Sequence, residues 1–301
     1  SQLSIYKAGR DGTIQYSDLL PSAHLKYSLN EKQNLRLSYY KAIARPNYFE
    51  FVPVEIPGDL FTEAGNYNIK HTQAHNFDLR YEFFNKGNEQ LLAGVFYKKI
   101  ENPIEYGFVP VTVSTSYVVP QNYGTATNYG FEFVLTKYIK NWGINANYTY
   151  TNSSIVQSKK YVAKVDSTIV NSLKDQTRPL QGQSKHIANV SLMYKNPKIG
   201  FDAQLAWVYT GRRINIVSAY YNLDYWQRGF SQLDFSAEKR IFKRFSIFTK
   251  ITNLLNTPLI VEVLSPNYLN AGALAQDRTS SIVVQKEVFH QTFLLGLRLK
   301  I

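Results

Sequence analysis

From Trp142 to Thr151 the chain alternates without a break: Trp142, Ile144, Ala146, Tyr148 and Tyr150 share one parity, and Gly143, Asn145, Asn147, Thr149 and Thr151 share the other. Successive side chains of an extended strand point to opposite faces, so this segment reads as a strand with one apolar face and one polar face. The pattern returns along the chain in paired runs of roughly ten residues, the length a tilted strand needs to cross the hydrocarbon of a bilayer.

Composition narrows the choice. The 301 residues are 44% hydrophobic, yet no apolar run approaches the ~20 residues of a membrane-spanning helix. Mean hydropathy is slightly negative at -0.29, as expected of a barrel in which only every second residue meets lipid. The absence of cysteine removes disulfide frameworks and thiolate metal sites. A net charge of +12 raises the question of nucleic acid, but Lys and Arg are scattered over strands, turns and connections. The compact cluster Lys159, Lys160 and Lys164 is expected to be a cationic loop near acidic lipid head groups, and no nucleic-acid partner is expected.

Strand-like runs fall at 18–29, 35–43, 74–85, 89–100, 128–138, 142–152, 185–195, 199–210, 230–240, 244–253 and 287–301, with a strand tail at 3–7. Short connections such as Asn85 to Glu89, Ile139 to Asn141 and Asn196 to Ile199 carry the Asn, Gly and Pro of tight turns. They alternate with long ones at 44–73, 101–127, 153–184, 211–229 and 254–286. Outer-membrane barrels place short turns at the periplasmic rim and long loops outside the cell, which puts the C-terminus at the periplasmic rim. The fold class expected is all-β, an antiparallel transmembrane β-barrel.

Lipid-facing candidates are Phe77, Leu79, Tyr81 and Phe83; Tyr129, Phe131, Phe133 and Leu135; Phe201, Ala203, Leu205, Trp207 and Tyr209; and Phe293, Leu295, Leu297, Leu299 and Ile301. Their alternates should line a polar lumen: Asp78, Arg80, Glu82, Glu132, Asn145, Asn147, Asp202, Gln204, Asp234 and Glu238. Run 244–253 breaks the pattern, because Phe248 is out of phase with Phe245, Ile247 and Ile251.

Residues Ser1 to Lys7 have neither the charged start nor the apolar core of a secretory leader. Eleven full strands and a tail do not make an even-numbered barrel, so residues 1–301 are expected to be the C-terminal portion of one barrel domain. A complete twelve-stranded barrel, with residues 1–10 as its first strand, is the alternative.

Several fragments together resemble the C-terminal half of TonB-dependent outer-membrane receptors, particularly those of Bacteroidetes-type bacteria. They include Asp18-Leu-Leu-Pro21, Leu35-Arg-Leu-Ser-Tyr39 with Ala42-Ile-Ala-Arg-Pro-Asn47, and Asn76-Phe-Asp-Leu-Arg-Tyr81. Gly94 to Lys99, Asn128 to Phe133, Asn147 to Tyr150, Arg178 to Ser184 and Thr252 to Pro258 follow in the family's order. Two segments depart from it: Gly65 to His71 matches loosely, and the chain ends on Ile301 rather than an aromatic residue. The resemblance implies the last twelve or so strands of a twenty-two-stranded barrel, with a plug domain preceding Ser1. It also implies active import of a scarce, bulky nutrient, such as a siderophore, cobalamin, glycan or peptide. Its partners would be outer-membrane lipid and lipopolysaccharide, TonB through an N-terminal region, and for some cargoes a surface lipoprotein lid. Rival readings are a passive outer-membrane channel and a surface carbohydrate-binding β protein.

Arg212, Arg213, Tyr220, Tyr221, Tyr225 and Trp226 form the most ligand-like stretch, since flat aromatic faces beside guanidinium groups suit sugars, catecholates or aromatic cofactors. An interfacial aromatic girdle with loop packing explains the same residues. Tyr48 and Phe49 pose the same alternative. His71 and His75 have helical metal-ligand spacing but straddle a loop and a strand start, so they are expected to be solvated loop histidines. Asp78, Glu82 and Glu132 are expected to pair with Arg80 and its neighbours rather than to catalyse. No catalytic arrangement is recognisable, and no enzyme activity, metal or cofactor is expected.

Overall fold

The computed structural model describes residues 15–52, 54–85, 87, 89–110, 116–165, 168–264 and 281–299; the strand tail expected at 3–7 lies outside them. One antiparallel meander organises the molecule, in the order β1 (Ser22–Asn30), β2 (Gln33–Ala44), β5 (Thr72–Phe84), β6 (Gln90–Glu101), β9 (Thr125–Ile139), β10 (Trp142–Val165), β12 (His186–Asn196), β13 (Phe201–Thr210), β16 (Phe230–Phe242), β17 (Phe245–Thr252) and β20 (Thr292–Leu299). These eleven strands are the eleven expected full runs, each paired with its neighbour in sequence order. Short turns and long connections alternate along the whole path, so one rim carries the turns and the other carries the long segments. Three boundaries move by four residues or more: the first strand starts at Ser22 rather than 18, β10 runs on to Val165 rather than ending at 152, and the last strand starts at Thr292 rather than 287.

The long connections are built structures rather than plain loops. They hold the short helix α1 (Tyr48–Phe51) and nine further strands: β3 (Glu55–Pro57), β4 (Thr62–Ala64), β7 (Ile104–Pro110), β8 (Ser116–Asn122), β11 (Thr168–Arg178), β14 (Arg213–Ile216), β15 (Tyr225–Gln227), β18 (Leu259–Val263) and β19 (Ile282–Glu287). Eight of these form two small sheets, in the orders β3-β4-β8-β7 and β14-β15-β18-β19, and β11 pairs with β10. Residues 155–165 of β10 therefore continue past the meander as one arm of a hairpin.

Register fixes the faces, because directly opposed residues of paired strands share one. The row Ile144, Leu192, Leu205, Phe235, Ile251 and Phe293 crosses six strands on a single face. On the opposite face run Asn145, Ser191, Ala206 and Asp234. The apolar face is open: Trp142 is 52% exposed and Leu295 75%. A sandwich would bury this surface, whereas a wall against hydrocarbon displays it. Apolar burial lies instead at the long-connection end, in the cluster Ala64, Val109 and Val119 and in the cluster Ala126, Ile155 and Leu180, which includes the paired ends of β9 and β10.

Aromatic rings edge the apolar face. Near the long-connection rim Tyr39 meets Phe77 at 4.9 Å, Phe131 meets Tyr150 at 5.5 Å, Tyr150 meets His186 at 5.4 Å, and Trp207 stacks on Tyr209 at 6.0 Å. Toward the turn rim Trp142 packs on Tyr194 at 4.9 Å. From residue 142 to residue 150 an extended strand runs about 26 Å, close to the height of an outer-membrane apolar band.

Phe248 keeps its strand in phase. It lies on the polar face directly opposite Gly296, where a Cβ would overlap its ring. Phe96 opposite Gly130 repeats this arrangement. The polar wall thus accepts an aromatic ring wherever the neighbouring strand offers a bare backbone on which it can lie.

Candidate functional site

The polar wall is a lattice of paired side chains. Arg36 meets Glu82 at 2.8 Å, and Arg80 lies 3.7 Å from Glu132. Asn145 donates to Thr136 Oγ1 at 3.2 Å, and Asn189 donates to Asn147 at 2.7 Å. Gln204 donates to Ser191, Gln232 to both oxygens of Asp234, and Arg298 to Glu238. Asp78 and Asp202 take the same face by register. All ten residues expected to line a lumen therefore share one face, and the carboxylates Glu82, Glu132 and Glu238 face cations, as expected of a hydrated wall.

Above this wall the long segments are clamped together. Arg178, the first residue of the Arg178 to Ser184 stretch, makes a bidentate pair with Glu105 at 2.7 and 3.1 Å and donates to Gln157 at 3.0 Å. Gln181 bridges the carbonyls of Tyr106 and Asn215 and accepts from the Tyr106 amide. Val217 and Gly107 form a parallel bridge, which links β7 to the segment after β14. Tyr106 also donates to Glu50 of α1 at 3.2 Å; burial, with Glu50 beside it, pushes its phenol up to about 12.

A second buried clamp joins Lys159 to Asp224 at 2.5 Å, with side chains 0% and 1% exposed. Gln176 and the Ser218 amide also donate to the Asp224 carboxylate. Burial pulls the Lys159 ammonium below its ordinary pKa, while Asp224 opposes that shift. This corrects one expectation: Lys159 is an internal tie, not a cation at lipid head groups. It shares the parity of Asn145 and Asn147 on β10, and Asp224 meets it there. Lys160 stays exposed near the Tyr220 ring.

The ligand-like residues divide. Tyr48 and Phe49 are 65% and 68% exposed on α1. Tyr221 lies against Tyr161 with the Lys174 ammonium 4.4 Å from its ring centre, while Tyr225 packs on Phe108 at 4.9 Å. Arg213 donates to Gln227 across β14 and β15. Arg212 stacks over Trp226 at 5.5 Å in a groove of about 750 Å³ that also includes Lys185, His186, Tyr209 and Arg228. The histidines expected to be solvated are instead engaged: His71 contacts Asp18 at 3.0 Å and stacks on Tyr16, and His75 bonds Tyr39. Among the described residues no group of three or more His, Asp or Glu is placed to hold a metal ion.

The family described as TonB dependent receptor-like, beta-barrel, matches residues 4–254. The chain belongs to that family. Among solved structures this receptor-family chain is similar to a mutant ferric enterobactin receptor of Pseudomonas aeruginosa in complex with enterobactin (17% identity, TM-score 0.56, covering 93% of this chain and 40% of that one). It is also similar to the ferric-catecholate import receptor Fiu of K12 E. coli (15% identity, TM-score 0.57, 92% and 34%) and to the copper transporter OprC (15% identity, TM-score 0.57, 92% and 39%). At these identities the likeness establishes the fold, and the chain spans well under half the length of each of these structures. No curated protein matches it.

Sequence reading missed both clamps, Lys159 with Asp224 and Arg178 with Glu105. Inward parity of Lys159 on a continued β10 was the available signal, and the assignment of 153–184 to a loop concealed it.

Proposed function

We propose that this chain is the C-terminal section of a TonB-dependent outer-membrane receptor barrel that imports a scarce, bulky nutrient when TonB acts on an N-terminal plug. The observation that carries the reading is the division of one meander into an exposed apolar face, edged by aromatic rings, and a paired polar wall beneath clamped segments. Among the described residues β1 and β20 pair on one side only. Unpaired strand edges cost several kcal/mol per backbone group in hydrocarbon, which supports a wall closed by further strands. The partial coverage of the similar structures agrees with this.

The long-connection rim is then exterior and the turn rim periplasmic. Tyr48, Phe49, Tyr220 and Tyr221 are the aromatic residues we assign to cargo contact. The solved relatives are named for catecholate siderophores and copper, and rings flanked by Lys160 and Lys174 suit a flat, anionic chelate. The Bacteroidetes-type assignment rests on the order of motifs in the sequence.

Accumulation of candidate cargo in cells that make the receptor, with and without TonB, tests the proposal. Uptake should require TonB and an energised inner membrane. Equal uptake in both strains would identify a passive channel instead.

A further inference from the structure

Asp18, His71 and Gln73 converge at the long-connection rim in a contact that hydrogen bonding alone does not satisfy. Asp18 precedes β1 yet touches Gln73 of β5, so its segment steps across β2, the strand between them. The Lys41 amide donates to the Pro21 carbonyl, and Tyr16 stacks on His71 at 3.9 Å with the Arg45 guanidinium 5.9 Å from the Tyr16 ring centre. The Asp18 and His71 side chains are 6% and 14% exposed.

His71 Nε2 lies 3.0 and 3.2 Å from the two Asp18 oxygens and 3.1 Å from the Gln73 amide nitrogen, which is itself 2.6 Å from Asp18 Oδ1. If Nε2 carries a proton directed at Asp18, the Gln73 NH2 faces a second donor. If Nε2 is bare it accepts from Gln73, and two carboxylate oxygens then face its lone pair. Turning the amide over sets its oxygen against Asp18 Oδ1, acceptor on acceptor. Every arrangement with an ionised Asp18 therefore leaves two like groups in contact. Asp18 Oδ2 is also buried without a hydrogen-bond partner.

A cation removes the conflict. With the amide turned, an Asp18 oxygen, His71 Nε2 and Gln73 Oε1 all present lone pairs to one point. Ligands held at about 2.0–2.2 Å from a zinc-type ion lie roughly 3 Å from one another. The three separations here are 3.0, 3.1 and 2.6 Å. An imidazole among the donors favours a first-row transition ion over Mg2+ or Ca2+, which take oxygen ligands. Gln73 shares the parity of Phe77 on β5, so the trio lies on the opposite side of the sheet from Asp78 and Arg80.

We propose that Asp18, His71 and Gln73 bind a divalent transition-metal ion of the zinc class, with water completing its shell. The ion clips the segment before β1 to β5. It is a resident ion rather than cargo, because the polar wall lies on the other face. The site goes beyond the transport reading and stands whether or not that reading does.

Zinc titration of the full receptor, purified in detergent and stripped with a chelator, tests it. The unmodified receptor should take up one more equivalent of Zn2+ than His71→Ala or Asp18→Asn, and an excess of Mg2+ should not displace that ion. Hydrogen exchange gives a structural readout: Zn2+ should slow exchange at the amides of Leu19 and Leu20 in the unmodified receptor and change nothing in His71→Ala. Gln73→Glu adds a charge to the trio and should bind Zn2+ about tenfold more tightly, a gain that a misfolded variant does not produce. Equal zinc stoichiometry in the unmodified receptor and His71→Ala would overturn the proposal. So would displacement by Mg2+, exchange at Leu19 and Leu20 indifferent to Zn2+, or no gain of affinity in Gln73→Glu. Uptake of cargo by a receptor without zinc at this site sinks the inference and spares the transport reading. Zinc held here by a receptor that needs no TonB does the reverse.

Discussion

Lys159 and Asp224 lie 65 positions apart in sequence and meet at 2.5 Å out of reach of solvent. Deleting one member of a buried pair strands the other charge, at a cost of about 3–5 kcal/mol. Asp224→Ala should therefore release segment 216–224 while leaving the meander intact. Hydrogen exchange checks this: amides of Val217 and Ser218 should lose protection while those of β12 and β13 keep theirs. Lys159→Met combined with Asp224→Leu should restore most of the protection, because no lone charge is left behind.

Leu205 and Gln204 are adjacent but face opposite ways, Leu205 aligned with Leu192 and Phe235, Gln204 with Met193 and Ser236. Leu205→Arg should cost about 2–4 kcal/mol near the bilayer midplane, and Gln204→Arg far less. Folding yields into lipid vesicles measure the difference. Similar yields for the two would refute the assignment of faces.

Gly296 lies beneath the Phe248 ring. Gly296→Leu should overpack this contact by about 1–3 kcal/mol and lower the urea midpoint for unfolding from vesicles. Adding Phe248→Ala should recover part of the loss. Purely additive losses would show that the two positions do not interact.

Glu89, in the turn before β6, has its pKa lowered to about 2 by its hydrogen bond from Lys137, with help from Asn85 and the Tyr138 amide. A carboxyl with a depressed folded-state pKa stabilises the fold above its ordinary value of 4.5, and the contribution is lost as pH falls toward 2. Carbon-detected titration of Glu89 in detergent should place its midpoint near 2, and Lys137→Gln should move it upward. An ordinary midpoint in the unmodified protein would discount the clamp.

The meander was legible in the sequence because dyad alternation survives wherever one face meets oil and the other water. Trp142 to Tyr150 and Phe293 to Leu299 carry that imprint, and the turns between paired runs carry their own Asn, Gly and Pro. Segments β7, β8, β14, β15, β18 and β19 left no such trace. Their order comes from contacts between distant connections, such as Gly107 with Val217 and Arg178 with Glu105, and no local period records those. Lys159 misled for a related reason: a lysine cluster looks solvated until its carboxylate, far along the chain, is known. That the ten polar residues share one face was readable from parity, whereas which aromatic residues pack against distant segments and which stay exposed was not.

Because β4 pairs with β8, Val217 bridges to Gly107, and β15 pairs with β18, four of the long connections are knitted into neighbours that they do not adjoin in sequence. Grafting one of them from a relative would import half of each seam. A chimaera meant to change cargo should exchange these segments as a set, and natural drift in cargo preference should leave correlated substitutions on both sides of each seam.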